Sequence, residues 1–308
     1  MKTNLSVNEP SGVLTVNKHA GVTSHDIVNK IRRLYGTRRV GHTGTLDPMA
    51  TGVLVVLVGR AAKASEYLVS DSKRYRATLR LGITTDTEDT TGTVLTTTEK
   101  LPSFAELEAV LPQFRGKIRQ IPPMYSALKV NGKKLLDLAR EGVTVERQAR
   151  EIEIFALSAE PTDAPSDIIL DVQCSGGTYI RTLGADIGNA LGCGGAMASL
   201  ERREACGFAL EGAHTVAELE EMTADEREGL LIPVEVLFAS LPAVRLPAFY
   251  EKLCRSGCEI YQKKIGTDFS VGVRVRIMTA SGDFFALGEV REYDDGTAIK
   301  AIKTFSLE

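Results

Sequence analysis

The segment Gly41-His42-Thr43-Gly44-Thr45-Leu46-Asp47-Pro48-Met49-Ala50-Thr51-Gly52 runs straight into the apolar stretch Val53–Val58, and this pairing constrains the fold more than any other feature of the chain. The apolar stretch reads as a buried strand. The segment before it is too polar and glycine-rich for a core, and its three glycines let the backbone turn sharply and approach a ligand closely. Pro48 removes an amide donor and pushes Asp47 out of the helical region, so the carboxylate sits on a stiff extended element. A plain Asp-Pro turn is the competing reading. His42 and the neighbouring threonines carry more hydrogen-bonding groups than a connector requires, which favours a site. The second glycine leads into Thr45-Leu46-Asp47 instead of Gly-Lys-Ser/Thr, so the phosphate-cradling nucleotide motif is absent.

A chain of 308 residues is expected to form two domains. It has no apolar stretch of the roughly 20 residues that span a bilayer, and residues 1–12 lack the basic and apolar regions of a secretory signal, so the expected location is the cytoplasm. Cys174, Cys193, Cys206, Cys254 and Cys258 are odd in number and include no Cys-x-x-Cys pair. Reduced thiols follow, with neither a disulfide framework nor a zinc site. The acidic loop Thr84–Thr91 does not match a calcium loop, and no metal is implied.

Charge is divided unevenly. Residues 1–150 hold 23 basic and 14 acidic side chains, whereas residues 151–308 hold 14 and 26. The net charge of −3 thus hides a positive half that suits a polyanion.

Val13–Lys18 alternates as a strand, and Ser24 is placed to cap a helix whose Ile27, Val28, Ile31 and Leu34 share one face. Lys30, Arg32, Arg33, Arg38 and Arg39 crowd the approach to the glycine loop. Ala61–Val69 reads as a helix and Lys73–Leu81 as a strand in which Tyr75 lies between two arginines. Such a ring is either a stacking platform for a base or an ordinary half-buried tyrosine. Ser103 caps a helix reaching Gln113, after which Ile121-Pro122-Pro123-Met124 interrupts regular structure. Lys129, Lys133, Lys134, Arg140, Arg147 and Arg150 then surround an Asn131-Gly132 hairpin signal, an arm suited to gripping phosphates. Glu151–Ala156 and Ile168–Cys174 read as strands, and Ser175-Gly176-Gly177-Thr178-Tyr179-Ile180-Arg181 opens a helix to about Leu191, with exposed amides that suit an anion. Arg181, in its first turn, is opposed by the helix dipole and needs a negative partner, for which Asp47 is the obvious candidate. Ala196–Arg203 with Ala205–Leu210 reads as a hairpin, Thr215–Met222 as a helix and Leu241–Pro247 as a linker. A helix, Phe249–Arg255, and the strands Val271–Ile277, Phe284–Val290 and Ala298–Phe305 form a small β-rich module.

In order and spacing these stretches resemble the TruB family of tRNA pseudouridine synthases, which make pseudouridine-55 in the T-loop. The resemblance covers roughly residues 13–205. It is carried by Asn17-Lys18 with Gly21-Val22-Thr23-Ser24, by the Asp47 segment, by Lys73-Arg74-Tyr75-Arg76, and by Leu81-Gly82 with Thr85-Asp86-Thr87. Pro123-Met124-Tyr125-Ser126-Ala127-Leu128-Lys129 with Gly132-Lys133, and Gly177-Thr178-Tyr179-Ile180-Arg181-Thr182, complete it. His19 stands where the family usually has proline.

The resemblance implies an α+β fold. Residues 1–240 would be the catalytic domain with a mixed, largely antiparallel sheet and a basic insertion at about 124–150, and residues 241–308 a small PUA-like RNA-binding domain. It implies isomerisation without a cofactor. Asp47 would be the nucleophile toward the uracil ring or the ribose, Tyr75 would stack on the base and serve proton transfer, and Arg181 would be the counter-ion of Asp47. His42 would fill the space left by the flipped base, with Lys18, Tyr179 and Leu200 lining the pocket. The implied partner is the T-arm of tRNA, bound by a monomer with no guide RNA and no membrane. A non-catalytic RNA-binding protein, a nucleotide-dependent enzyme and a guide-dependent synthase are the alternatives.

Overall fold

The computed structural model describes residues 9–68, 72–130 and 132–306. The chain opens with β1 (Gly12–Lys18), α1 (Ser24–Leu34), β2 (Val40–His42), β3 (Thr51–Val58) and β4 (Lys73–Leu81). A hairpin of β5 (Ile83–Thr85) and β6 (Val94–Thr97), helix α2 (Phe104–Val110) and β7 (Gly116–Gln120) lead to the basic segment. There β8 (Lys129–Val130) pairs with β9 (Lys133–Lys134) ahead of α3 (Leu135–Arg140). Next come β10 (Arg150–Pro161), β11 (Asp167–Cys174), α4 (Ile180–Ala190), β12 (Gly195–Ala205), β13 (Phe208–Ala209), α5 (Val216–Glu221) and α6 (Ala224–Gly229). The last part holds β14 (Ala243–Arg245), α7 (Ala248–Arg255), β15 (Ile260–Tyr261), α8 (Gln262–Ile265), β16 (Arg274–Met278), β17 (Phe284–Tyr293) and β18 (Gly296–Thr304).

Nine strands of the described residues form one sheet in the order β1-β3-β12-β4-β11-β10-β7, with β2 on β3 and β13 on β12. Only the β3–β12 pairing is parallel, which gives the mixed, largely antiparallel α+β sheet expected from the sequence. A second sheet, in the order β14-β16-β17-β18-β15, has its own core around Val275, Ile277, Phe285 and Ile299. No helix among the described residues is long and apolar enough to cross a membrane.

The unbroken apolar run of β3 has a simple cause, since both of its faces are covered. Leu54, Val56 and Val58 pack with Ile27, Val28 and Ile31 of α1, while Val53, Val55 and Leu57 share a cluster with Phe238, Leu287 and Phe305. In β4 one face is covered and one is wet, so residues alternate. Tyr75, Ala77, Leu79 and Leu81 are buried, while Arg76 and Arg80 face outward to Asp171 and Asp167.

Helix α4 lies against the sheet through Ile180, Leu183 and Ile187, each worth about 2 kcal/mol on burial. Two glycines set its distance. A Cβ at Gly188 would lie 2.3 Å from the Gly194 carbonyl carbon, and one at Gly184 would lie 3.0 Å from Leu79 and Met197. The close contact fixes where the first turn of α4, and therefore Arg181, must sit.

Several local expectations are corrected. Thr23, not Ser24, caps α1, because Asp26 three positions on completes a reciprocal capping box, whereas Ser24 turns inward. The expected helix Ala61–Val69 is a 3₁₀ helix over Gly59–Glu66 whose buried Ala61 and Ala64 recur at that helix's three-residue period. Val69 lies outside the described residues. The β12–β13 turn falls at Cys206-Gly207, so the first strand runs on to Ala205. The expected linker Leu241–Pro247 contains β14, parallel to β16, because Val244 and Leu246 alternate inward around Arg245. Asn131 of the expected turn lies outside the described residues, though the strands on either side of it pair.

Candidate active site

The Asp47 loop leaves β2, returns into β3, and is clipped down at three points. The buried Ser24 hydroxyl donates to Leu46 O at 3.1 Å and accepts from Leu46 N at 2.8 Å. Lys18 Nζ, fully buried, donates to the carbonyls of Val22 (2.8 Å), His19 (3.0 Å) and Pro48 (3.3 Å). Arg202, 1% exposed, donates from Nε to Val53 O at 2.7 Å and from Nη2 to Gly44 O at 3.0 Å. Beyond the aspartate, Ala50 N closes on Asp47 O at 3.0 Å with Pro48 between, a turn whose second position suits proline. These contacts hold the carboxylate in place while leaving its side chain 35% exposed.

Arg181 meets that carboxylate as a fork, with Nε 2.8 Å from Oδ2 and Nη2 3.2 Å from Oδ1. Its other donors reach Thr87 O (2.6 Å), Asp89 Oδ2 (3.5 Å) and Tyr125 O (2.9 Å). A guanidinium has five N–H groups, so every one has an acceptor. The side chain is 4% exposed, and the two carboxylates offset both its burial and the unfavourable end of the α4 dipole. Asp89 is itself held by the Thr87 and Thr91 hydroxyls and the Thr91 amide.

A cavity of about 250 Å³ opens over this pair, lined by Asp47, Arg181, Tyr75, Tyr179 and Leu200 among others. Tyr75 is 7% exposed, and burial pushes its phenol up against the opposing pull of the Arg202 guanidinium. Arg74 and Arg76 do not flank the ring, because neighbours on a strand point to opposite faces. Arg76 bonds Asp171 and Glu160 instead. Tyr179 caps α4, and the buried Gln120 grips its backbone from both sides at 2.9 and 3.0 Å. Burial raises the Tyr179 phenol as well.

Lys18 and His42 stand apart from the cavity lining. Lys18 lies beneath the loop, where burial pushes its ammonium down to about 8 despite the pull of Asp47. His42 sits on β2 with its Nδ1 buried and without a hydrogen-bond partner among the described residues, and burial lowers its imidazole. The His19 side chain is exposed and only its carbonyl serves Lys18, so the position usually held by proline keeps its part in the loop. A larger hollow of about 570 Å³ lies along Arg74, Arg76, Asp171 and Gln173, but the pairing of Arg76 with Asp171 there leaves less charge for chemistry.

Asp89, Arg202 and Gln120 were not singled out from sequence. The hydroxyls of Thr87 and Thr91 around Asp89 are the signal of a carboxylate held by its neighbours, and the Thr85 hydroxyl adds a bond to the Asp89 backbone carbonyl. Arg202 shares strand parity with the inward Leu200, an arginine in an apolar register.

Residues 32–180 match the N-terminal domain of the TruB family pseudouridylate synthases, and residues 181–239 match the C-terminal domain of tRNA pseudouridylate synthase B. A tRNA pseudouridine synthase B from Thiobacillus denitrificans is 49% identical over 235 residues, 76% of this chain and 78% of its own. One from Neisseria meningitidis serogroup A is 38% identical over 94% of each chain. Among solved structures, a chain of a Cbf5–Nop10–Gar1 complex superposes with a TM-score of 0.72 at 25% identity, over 96% of this chain and 85% of that one.

Proposed function

Because the chain belongs to the TruB family of pseudouridylate synthases, we propose that it converts uridine 55 in the T-loop of tRNA to pseudouridine, acting as a monomer without a guide RNA or cofactor. The target base leaves its stack and enters the Asp47 cavity, at a cost of a few kcal/mol that protein contacts offset. Asp47 attacks either ribose C1′ or uracil C6. The glycosidic C–N bond breaks, the uracil turns, C5 bonds to C1′, the Asp47–carbon bond breaks to return the free carboxylate, and the C5 proton is lost as N1 gains one. Atoms balance with no oxidant and no leaving group, so the chemistry needs only a nucleophile, a proton acceptor and a closed pocket.

The observation that carries this reading is the fork between Arg181 and a carboxylate left partly open to the cavity. The guanidinium fixes the direction of the carboxylate, and so supplies positioning ahead of the reaction. The Tyr75 ring in the cavity wall suits stacking on the base, and its phenol then serves proton transfer close to the ring. Lys18 serves by holding the loop, and His42 by filling the stack that the base vacates. Residues 1–240 carry the chemistry, the arm at 124–150 grips the T-arm, and residues 241–308 add a PUA-like RNA contact.

Tritium release from an unmodified tRNA transcript labelled at uracil C5, with purified protein and no added nucleotide or metal, tests the proposal. Release at the T-loop uridine is expected. Intact tRNA binding without release would instead favour a binding protein or dependence on a guide.

A further inference from the structure

Ser126 lines the same cavity as Asp47, Tyr75, Tyr179 and Leu200, and its part there is unassigned by the reading above. The residue is 5% exposed, and its hydroxyl is buried without a hydrogen-bond partner among the described residues. Its backbone, by contrast, is fixed on both sides. Ser126 N donates to Met124 O at 2.9 Å, and Ser126 O accepts from Leu136 N at 3.1 Å. The carbonyl just before it, Tyr125 O, accepts from the same Arg181 Nη2 that reaches Asp47 Oδ1. Ser126 is therefore carried on a segment tied directly to the Asp47–Arg181 pair.

The Tyr179 phenol is near enough for the Ser126 hydroxyl to pull it down against the upward push of burial, yet no described residue accepts a hydrogen bond from the serine. Buried hydroxyls in folded proteins are almost always bonded, and leaving one unbonded is unfavourable. Here the orphan stands in a cavity open to substrate, on a rigid segment, next to a second hydroxyl. That combination fits a group whose partner arrives with the ligand.

We propose that Ser126 is a substrate-recognition residue, whose hydroxyl donates to an acceptor oxygen of the extruded nucleotide, either O4 of the uracil or a non-bridging oxygen of its 5′-phosphate. The proposal deepens the reading of this cavity as the uridine pocket and rests on it.

The test compares the full-length protein with Ser126→Ala on an unmodified tRNA transcript. The alanine variant is expected to keep or raise Tm, since it removes an unbonded buried hydroxyl, and to lose on the order of 10-fold in kcat/KM. Two further transcripts identify the acceptor, one with 4-thiouridine at the target and one with a methylphosphonate on its 5′ side. The alanine penalty should shrink toward unity on the transcript whose altered atom is the acceptor, and persist on the other. Wild-type kcat/KM in Ser126→Ala, a fall in Tm alongside the loss of activity, or a penalty unchanged on both modified transcripts would each overturn the proposal. Absence of turnover by the wild-type protein on the plain transcript would count against the function itself.

Discussion

The Asp47 loop and the basic arm at 124–150 are both polar, yet they are built in opposite ways. Around Asp47 the side chains that hold the loop and the carboxylate are matched. Arg181 has an acceptor for each donor, Lys18 and Arg202 end on carbonyls, and Ser24 clips Leu46 from both sides. In the arm, β8 and β9 are two residues each and α3 is six, while Lys129, Lys133 and Arg140 are exposed and make no ion pair with any described residue. On the proposed function, the contrast follows from what each part must meet. Chemistry requires one carboxylate held to a fraction of an ångström before substrate arrives, whereas a phosphate backbone requires cations that are still free to be neutralised.

The largest effect should come from the centre of the ordered region. Asp47→Asn keeps the size and most contacts of the side chain but removes the charged nucleophile, so turnover should fall by at least about 10³-fold while tRNA affinity stays within about threefold. Single-turnover tritium release and filter binding on the same preparation check this. Full activity would remove Asp47 from its role. Arg181→Met tests the other half of the fork. It leaves Asp89 buried and Asp47 half-buried without their cation, and should cost about 3–5 kcal/mol of unfolding free energy. A denaturant midpoint equal to that of the wild type would show that the region is not prestressed by these charges at all.

This division also governs how much could be read from the chain. The Asp47 segment was legible because glycine and proline dictate backbone shape locally, and β3 because burial on both faces leaves an uninterrupted apolar run. Asp47 was the obvious partner for Arg181, but their proximity was not visible in the sequence, since the two lie 134 positions apart and α4 reaches the loop by way of Gly184 and Gly188 packing on the sheet. Arg202 was illegible for a related reason. Its register is inward, but a strand carrying Glu201-Arg202-Arg203-Glu204 reads as a solvated charge cluster until the bulge between Arg202 and Glu204 is known. The arginines around Tyr75 misled in the opposite sense, because adjacency in sequence became opposition across the sheet.

Lys18 offers a gentler probe of the ordered region, through pH. Its folded-state value of about 8 lies below the ordinary 10.5, so between these limits the unfolded chain holds a proton that the folded one has released. Stability from this group therefore rises with pH across that window, and is at its poorest below 8, where the buried ammonium is charged. Relative to Lys18→Met, the wild type should gain up to about 3 kcal/mol between pH 8 and 10.5. Urea unfolding of both proteins at several pH values measures the difference. Parallel curves would mean that the ammonium keeps its charge without strain.

The smallest effect belongs to the arm, and it should differ in kind. Lys129→Ala and Lys133→Ala remove exposed charges that touch no acid, so stability should hardly change. If each lysine neutralises one phosphate, each substitution lowers the slope of log affinity against log salt by about one. At saturating tRNA the catalytic step should be untouched, because the site is complete without these side chains. The link from this region to the site that matters is Tyr125 O, a backbone atom that accepts from Arg181. A variant with an unchanged salt slope would deny the arm its grip on phosphate. A variant with a normal slope change but a slower step at saturation would show that the arm also sets Arg181 through Tyr125, and the two regions would then be one device in which RNA binding completes the catalytic fork.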